Sequence, residues 1–325
     1  MAVYTTVNDD ALADFLAEYD LGEARAFKGI AEGVENSNYY LETTGGRFIL
    51  TLFEKRVNAA DLPYFVGLKR HLAAKGFPCP EPIIGRDGEA LRTLCDRPAL
   101  IVSFLEGLSP RRPNRVQCRE LGAGLARMHA VLSDFELERP NDLGPADWPK
   151  LWAGREVETD ALAPGLAHEI RGDLAAIAAA KSLSDDLPRG TIHADLFPDN
   201  AFFLGDTFTG VIDFYFACTD ALVYDIAVCL NAWAFDDGSA PGLQYNFSRG
   251  AALLAGYQSV RPLTEAERAA LPLLCRGAAL RFFLTRLVDW TETPADALVK
   301  PKNPLDYAQR LRFHRGAASA GDYGA

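Results

Sequence analysis

The chain has 325 residues, of which 49% are hydrophobic and 24% are charged, a balance that excludes a largely disordered protein. A single hydrophobic core stops growing at roughly 250–300 residues, so this length predicts two lobes or domains. The net charge of −11 argues against a nucleic-acid binder, which needs a basic surface, but it leaves room for a local phosphate pocket.

Three features of the sequence predict a cytoplasmic protein without a membrane partner. No uncharged apolar run reaches the roughly 18–20 residues of a transmembrane helix. Residues 1–16 lack the basic and apolar regions of a signal peptide. No C-x-x-C pair occurs, and mostly apolar neighbours predict reduced, buried thiols at Cys79, Cys95, Cys118, Cys218, Cys229 and Cys275.

The first third of the chain predicts a small antiparallel sheet with helices beside it. Asn8 can cap an amphipathic helix. The runs at 36–43 and 47–55, NSNYYLET and RFILTLFEK, are strand-like, and the TGG between them predicts a hairpin. A second helix is predicted over residues 61–75, followed by three strands within 81–107.

Beyond Pro113 the apolar spacing becomes helical. Helices are predicted around residues 119–132, 155–181 and 260–290. A short strand, FTGVIDF, interrupts them, and the C-terminal residues 314–325 are expected to fray. The pattern therefore predicts a β-rich N-terminal lobe and a mainly helical C-terminal lobe.

Residues 191–204, TIHADLFPDNAFFL, space their polar groups as His193-x-Asp195-x-x-x-x-Asn200. These are the intervals of the kinase catalytic loop H-R-D-x-x-x-x-N. Phosphoryl transfer needs a carboxylate beside the attacking hydroxyl, and Asp195 is predicted to supply it. Asn200 is predicted to bind Mg²⁺, and His193 to support the loop by packing and hydrogen bonding. The alternative is that these residues merely cap a turn-rich connection.

A second metal ligand should follow on a short strand, as the aspartate of a kinase D-F-G does. Asp213 stands there, at the end of the apolar run in GVIDF, and the capping alternative does not explain it. Asp225 opens the next apolar helix. We expect it to have a structural role, either capping that helix or accepting hydrogen bonds from backbone groups of the loop.

Two features favour a small-molecule kinase over a protein kinase. Ala194 replaces the arginine that would pair with a phosphorylated activation loop. Only eleven residues separate Asp213 from Asp225, which leaves no space for an activation segment.

Five segments carry a resemblance to a known family: GIAEGVENSNYYLETTGGRFILTLFEKR, LGAGLARMHAVL, IHADLFPDNAFF, VIDFYFACTDALVYDIAVCLNAW and GAALRFFLTRLVDW. Over nearly its whole length it resembles the aminoglycoside phosphotransferase/choline kinase-like superfamily, and within it the bacterial homoserine kinases. The resemblance implies an α+β, protein-kinase-like two-lobed fold. Residues 1–105 would form the nucleotide-binding lobe, and residues 106–325 the helical lobe with the catalytic loop and acceptor pocket.

The resemblance also implies an activity. Mg²⁺ and ATP would be used to phosphorylate the side-chain hydroxyl of L-homoserine, a step toward threonine. Two alternatives stay open at this point: a kinase of another alcohol such as an aminoglycoside, choline or a sugar, and a nucleotide-binding pseudokinase. The sequence also leaves open a monomer or a homodimer.

The residues expected to contact the nucleotide lie around the predicted hairpin and the connector between the lobes. Glycines would let backbone approach phosphate, Ser37 and Asn38 would add donors, and connector backbone would meet adenine. A plain hairpin turn and an exposed surface acid at Glu106 are the alternatives. The predicted set is Gly29, Gly33, Ser37, Asn38, Phe104 and Glu106.

Thr51 stands where relatives carry the strand lysine that binds phosphate. Lys55 lies four residues further along, roughly 13 Å in an extended strand, which a lysine side chain does not span. The helix predicted over 61–75 also lacks the usual glutamate partner. We therefore predict that backbone amides, Mg²⁺ and either Lys28 or Lys55 share the phosphate contacts.

Binding a zwitterionic acceptor requires a cation for its carboxylate. Arg281 lies on an apolar helix, where an arginine is costly unless it is paired, and it is predicted to bind the acceptor carboxylate. Arg286 can instead pair with Asp289 on the same helix. Trp233 is predicted to line the acceptor pocket, with core packing as the alternative.

Overall fold

The computed structural model describes residues 4–30, 36–54, 58–180, 186–236, 243–294 and 300–325. The chain divides into two compact units, residues 1–106 and residues 107–325.

The first unit is built on a five-stranded antiparallel sheet with the strand order β1-β2-β3-β5-β4. Its elements, in chain order, are α1 (Asp9–Leu16), β1 (Ala24–Gly29), β2 (Ser37–Thr43), β3 (Gly46–Leu52), α2 (Leu62–Ala74), β4 (Leu91–Leu94) and β5 (Arg97–Ser103).

The predicted hairpin is the pair β2–β3, whose register runs from Ser37 opposite Leu52 to Thr43 opposite Gly46. Side chains of β2 alternate between buried and half-buried positions, as expected of a strand with one covered face. That face packs on α1, where Leu12 and Phe15 join the same hydrophobic cluster as Leu41.

The predicted helix cap is present in the first unit, but one of the expected strands is not. The Asn8 side chain accepts a hydrogen bond from the Ala11 amide at 2.8 Å, which confirms the predicted N-cap. The strand expected first within 81–107 is wrong, because that stretch makes only an isolated bridge between Pro82 and Val102. Pro82 has no backbone N–H to donate, and the contact with β5 is limited to the bonds on either side of it, from Ile83 N–H to the Ile101 carbonyl and from Ser103 N–H to the Glu81 carbonyl.

The second unit is mainly helical, with short strand pairs β6–β9, β7–β8 and β10–β11. Its elements are α3 (Arg115–Val131), α4 (Trp148–Trp152), α5 (Glu156–Leu162), α6 (Leu166–Ala179), β6 (Arg189–Ile192), β7 (Ala201–Leu204), β8 (Thr207–Val211), β9 (Cys218–Ala221), α7 (Leu222–Trp233), β10 (Phe235–Asp236), β11 (Gln244–Tyr245), α8 (Phe247–Gln258), α9 (Glu265–Glu292) and α10 (Leu305–Gly316).

Helices α3 and α8 approach closely because each has a glycine at the crossing. A Cβ on Gly122 would lie 2.1 Å from the Leu253 carbonyl oxygen, and one on Gly256 would lie 2.0 Å from the Arg119 carbonyl oxygen. Glycine inside a helix costs about 1 kcal/mol relative to alanine, so the close approach has to offset that loss.

Two expectations about the second unit need correction. The helical region predicted over 155–181 is broken between α5 and α6 at Gly165, whose φ of +81° is left-handed. The C-terminal residues do not fray: α10 continues to Gly316, and Tyr323 is fully buried. The Tyr323 hydroxyl lies 2.9 Å from Nδ1 of the buried His314, and this contact anchors the end of the chain.

The cysteine thiols are free, and all except Cys95 are buried. The prediction of a buried thiol is wrong for Cys95, which lies in the turn between β4 and β5 with φ +50°. Within the described ranges, no helix combines the length and the apolar character that a membrane span requires.

An ionic cluster ties α6 to α9 and α10. The Asp173 carboxylate is fully buried and accepts hydrogen bonds from Arg276 Nε at 2.7 Å and Arg315 Nη2 at 2.6 Å. One helical turn earlier, Glu169 accepts from Arg312 Nη2 at 3.0 Å, and its contacts with Arg312 and Arg315 lower its pKa to about 2. Three helices therefore depend on one buried carboxylate.

Replacing Asp173 with alanine should destabilise the protein by about 3 kcal/mol, because two arginines would lose a desolvated partner. The matched control is Glu169→Ala, at a more exposed position in the same cluster, which should cost less than about 1 kcal/mol. Urea denaturation of the two variants measures the difference. Equal losses would mean that Asp173 has no special role.

Candidate active site

The catalytic loop predicted from the sequence connects two short strand pairs. It leaves β6 after Ile192, passes through His193 and Asp195, and enters β7 after Asn200. Phe197 N–H donates to the Asp195 carbonyl at 2.8 Å, and Asn200 N–H donates to the Phe197 carbonyl at 3.0 Å. Two successive tight turns therefore compact the loop.

The carboxylate of Asp225, which is fully buried, fixes the start of this loop. It accepts the His193 N–H on Oδ2 and the Ala194 N–H on Oδ1, each at 2.7 Å. Of the two structural roles expected for Asp225, the structure supports the bonding of loop backbone. Burial alone would raise the pKa of Asp225, but its bonds to His129 and His193 outweigh burial and lower it.

The sequence analysis missed His129, which is the other partner of Asp225. His129 Nε2 lies 3.1 Å from Asp225 Oδ2, and its Nδ1 lies 2.8 Å from the Tyr257 hydroxyl. Arg261 Nη1 donates to that hydroxyl at 3.2 Å. The close crossing of α3 and α8 puts His129 and Tyr257 within hydrogen-bonding distance. A histidine on the buried face of the helix at 119–132 was the available signal.

His193 was predicted to support the loop, and its ring makes two hydrogen bonds, one within the loop and one to the segment after β8. The ring is fully buried, and burial lowers its pKa, so it is neutral. Its Nδ1 accepts the Asp195 N–H at 3.3 Å, which leaves the proton on Nε2 to be donated to the Ile212 carbonyl at 2.9 Å. The ring thus links the loop to the segment that follows β8.

The two predicted metal ligands lie at the same end of the β7–β8 hairpin. Ile212 N–H donates to the Asn200 carbonyl at 2.9 Å, so Asp213 follows the residue paired with Asn200. Asn200 Nδ2 donates to the Asp195 carbonyl at 2.8 Å, which leaves its carboxamide oxygen for a cation. Asp213 is exposed and has φ +63°, a left-handed conformation rare for residues other than glycine.

Asp195 is partly buried, and its side-chain pKa is higher than that of an ordinary aspartate. Burial raises its pKa to about 7 against the lowering effect of Arg281, and Asp213 raises it further. A carboxyl group with a pKa near neutrality can accept a proton from a hydroxyl group more readily than an ordinary aspartate.

Arg281 lies beside Asp195, but as an internal residue. Its Nη2 is 3.9 Å from Asp195 Oδ1, while Nη1 donates to the Ala194 carbonyl. Only 3% of the side chain is exposed. We therefore correct its predicted role: Arg281 positions the loop and lowers the pKa of Asp195, and it is too buried to receive the acceptor carboxylate.

The Trp233 prediction also needs correction. The side chain is fully buried, so it cannot line a pocket, and Nε1 donates to the Leu196 carbonyl at 2.9 Å. Arg286 Nη1 pairs with Asp306 at 3.1 Å and also donates to the Asn303 carbonyl.

In the first unit, Ser37 is fully buried and fully engaged. Its hydroxyl accepts the N–H groups of Tyr4 and Thr5 and donates to Glu54 at 2.7 Å, so it offers no donor to a nucleotide and that prediction is wrong. Asn38 Oδ1 accepts from the Thr51 hydroxyl at 2.8 Å. Thr51, which stands at the position of the strand lysine in relatives, is therefore bonded to a neighbouring strand.

The other residues expected to contact the nucleotide are spread over the sheet. Gly29 ends β1 opposite Tyr39, and the exposed Lys28 precedes it. Phe104 N–H donates to the Arg47 carbonyl at 3.2 Å, and Glu106 forms a surface ion pair with the Arg47 guanidinium. Gly33 and Lys55 lie outside the described residues.

Comparison with known protein families and structures identifies the class of protein to which the chain belongs. A family model described as "Phosphotransferase enzyme family" matches residues 26–263. The amicoumacin kinase hAmiN, solved with AMP-PNP, Ca²⁺ and Ami, superposes with a TM-score of 0.66 at 15% identity, over 95% of this chain and 92% of that one. A choline kinase from Cryptosporidium parvum gives 0.65 at 13% identity, over 95% and 94%. The predicted α+β, protein-kinase-like fold is confirmed, and the class is a phosphotransferase.

Sequence identity narrows the class further. A homoserine kinase from Hyphomonas neptunium is 69% identical over 328 residues, covering 100% of both chains. The chain belongs to the homoserine kinase family, and it is therefore an ATP-dependent phosphotransferase with an alcohol acceptor.

Asp225→Asn should lower both stability and turnover, because an amide presents at most one acceptor oxygen to two buried N–H groups. We expect a loss of about 2–3 kcal/mol in the free energy of unfolding and at least a tenfold lower kcat. The control is Asp220→Asn, whose carboxylate bonds Asn141 and Arg189 instead. Unfolding and quenched ADP-release assays measure both effects, and an unchanged kcat would contradict the role of Asp225.

The pH dependence of kcat/KM should report the raised pKa of Asp195. Activity requires the ionised carboxylate, so kcat/KM should fall as the pH drops through about 7. Arg281→Met removes the group that lowers this pKa and should move the midpoint to higher pH, whereas Arg281→Lys should move it less. A midpoint near 4, the ordinary value for aspartate, would contradict this account.

Proposed function

We propose that the protein transfers the γ-phosphate of Mg-ATP to the side-chain hydroxyl of L-homoserine. The observation that carries the proposal is the arrangement of residues 193–213, in which Asp195 stands between a neutral bracing histidine and the end of the β7–β8 hairpin. The 69% identity to a homoserine kinase supports the choice of acceptor.

Asp195 acts as the orienting carboxylate and base. The acceptor oxygen attacks the γ-phosphorus, the bond between that phosphorus and the bridging oxygen breaks, and ADP leaves. The hydroxyl proton passes to Asp195, whose raised pKa suits it to hold a proton. Arg281 and the backbone bonds of the loop keep the carboxylate in place.

Asn200 and Asp213 are the residues that would hold Mg²⁺. Their donors are an amide oxygen and a carboxylate, the hard ligands this ion prefers, at one end of a hairpin. In the described part of the chain, no three carboxylate, histidine or cysteine side chains cluster to hold a metal. That fits an ion completed by phosphate oxygens and water. When bound, Mg²⁺ neutralises charge on the transferring phosphate.

We further propose that residues 1–105 bind the nucleotide and that residues 106–325 provide the catalytic loop and the acceptor pocket. Thr51 bonds Asn38 where a phosphate-binding lysine would stand. Backbone amides, Mg²⁺ and Lys28 or Lys55 therefore remain the proposed phosphate partners, with Gly29 and Gly33 giving the backbone access.

Cations and carboxylates both act on Asp195. Arg281 and Lys302 lower its pKa, while Asp213 and Asp199 raise it. The choice of an amino-acid acceptor therefore rests on the identity to a homoserine kinase. The relative from Hyphomonas neptunium is named a kinase, which favours a catalytic protein over a nucleotide-sensing pseudokinase.

Asp195→Asn should lower kcat by about 10²–10⁴-fold while leaving ATP binding unchanged, because the amide cannot accept the proton. Quenched ADP release with L-homoserine measures turnover, and calorimetry with a non-hydrolysable ATP analogue measures binding. Asp199→Asn, at an exposed position of the same loop, is the control and should stay near wild-type activity.

The same assay, run on a panel of amino acids, choline, sugars and an aminoglycoside, tests the acceptor. Preference for L-homoserine is the expected result. A higher kcat/KM for another alcohol would replace homoserine as the substrate. ATP binding without turnover of any acceptor would support the pseudokinase alternative.

A further inference from the structure

The acceptor carboxylate needs an accessible cation near Asp195, and most cations in this region are already engaged. Arg281 is buried against the Ala194 carbonyl, and Arg286 pairs with Asp306 at 3.1 Å. Arg310 is buried and donates to the carbonyls of Asn231 and Asp306. None of these three guanidinium groups is open to a ligand.

These cations surround a row of aromatic rings that begins on the catalytic loop. Phe197 packs against Phe282 with ring centroids 4.9 Å apart, and Phe282 packs against Tyr307 at 5.2 Å. Arg281 lies over Phe282 at 4.5 Å, and Arg286 lies over Tyr307 at 4.6 Å. The loop end of the row is Phe197, whose N–H donates to the Asp195 carbonyl.

Lys302 lies over that end of the row. Its Nζ is 5.7 Å from the centroid of the Phe197 ring, and the residue is exposed. Among the described residues, no carboxylate lies within ion-pair distance of its ammonium. The bonds of Arg286 to Asn303 and Asp306 hold the segment that carries Lys302 against α9.

This position is close to the reacting carboxylate. Phe197 is two residues from Asp195, and its N–H donates to the Asp195 carbonyl at 2.8 Å. An accessible cation over a ring of the catalytic loop fits a small anion next to the attacking hydroxyl.

We propose that Lys302 is a specificity-determining residue that binds the carboxylate of the acceptor amino acid and so selects L-homoserine over amino alcohols. The inference rests on the proposed function, because it assumes an acceptor with a carboxylate. It replaces Arg281 in that role, and it leaves Arg281 to position Asp195.

The test compares L-homoserine with 3-aminopropan-1-ol, which is the same molecule without its carboxylate. Lys302→Met should raise KM for L-homoserine by about tenfold to a hundredfold, the effect of losing one charge-assisted hydrogen bond. With 3-aminopropan-1-ol, wild type and Lys302→Met should have similar kcat/KM, because the lost contact has no partner there. Lys302→Arg should restore most of the affinity for homoserine.

Lys300→Met is the matched control, since Lys300 is also exposed and lies two residues away. It should leave both substrates unaffected. Equal losses on both substrates in Lys302→Met would show that Lys302 only supports the loop, and would overturn the inference. So would a Lys302→Met enzyme that behaves like Lys300→Met while the wild type phosphorylates homoserine. If the wild type phosphorylates other alcohols but not homoserine, the proposed function fails and this inference fails with it.

Discussion

The buried carboxylate of Asp225 is the constraint on which the catalytic loop depends. Ala194 adopts φ +62°, a left-handed conformation that costs a non-glycine residue about 1–2 kcal/mol. Two charge-assisted hydrogen bonds, from the His193 and Ala194 N–H groups, offset that cost, because without the carboxylate both donors would be buried and unpaired. His129, itself bonded to Tyr257, keeps the carboxylate oriented. The side chains of Tyr257, His129 and Asp225 therefore connect the crossing of α3 and α8 to the catalytic loop.

Helix α9 connects the stability of the second unit with its chemistry. Within three turns it provides Arg276 to the buried Asp173, Arg281 to the Ala194 carbonyl and Phe282 to the ring of Phe197. The same helix therefore contacts α6, the catalytic loop and the row of aromatic rings that ends beside Lys302. Burial of Asp195 raises its pKa to about 7, although Arg281 acts to lower it.

The first unit has a neutral pair of side chains at the position where the sequence analysis expected a strand lysine. Thr51 and Asn38 bond each other across β2 and β3, a neutral contact at the position where a cation would meet phosphate. Ser37, which the sequence suggested as a donor, instead joins the N-terminal segment to Glu54. The polar side chains at this end of β2 and β3 are therefore bonded to one another or to the N-terminal segment.

The amino-acid sequence alone determined what local spacing can encode. The hairpin β2–β3, the Asn8 cap and the order His193, Asp195, Asn200 and Asp213 are written within short stretches, and a loop motif or a turn follows from neighbouring residues. Which buried polar groups meet was decided only by the tertiary structure. His129 bonds Asp225, which lies 96 positions further along the chain. Trp233 is buried and donates to the Leu196 carbonyl, and Tyr323 bonds His314 and so fixes the C-terminal residues. The physical reason is that a buried polar group must find its partner wherever packing places one, and periodicity along the chain identifies a buried face without naming what lies opposite it.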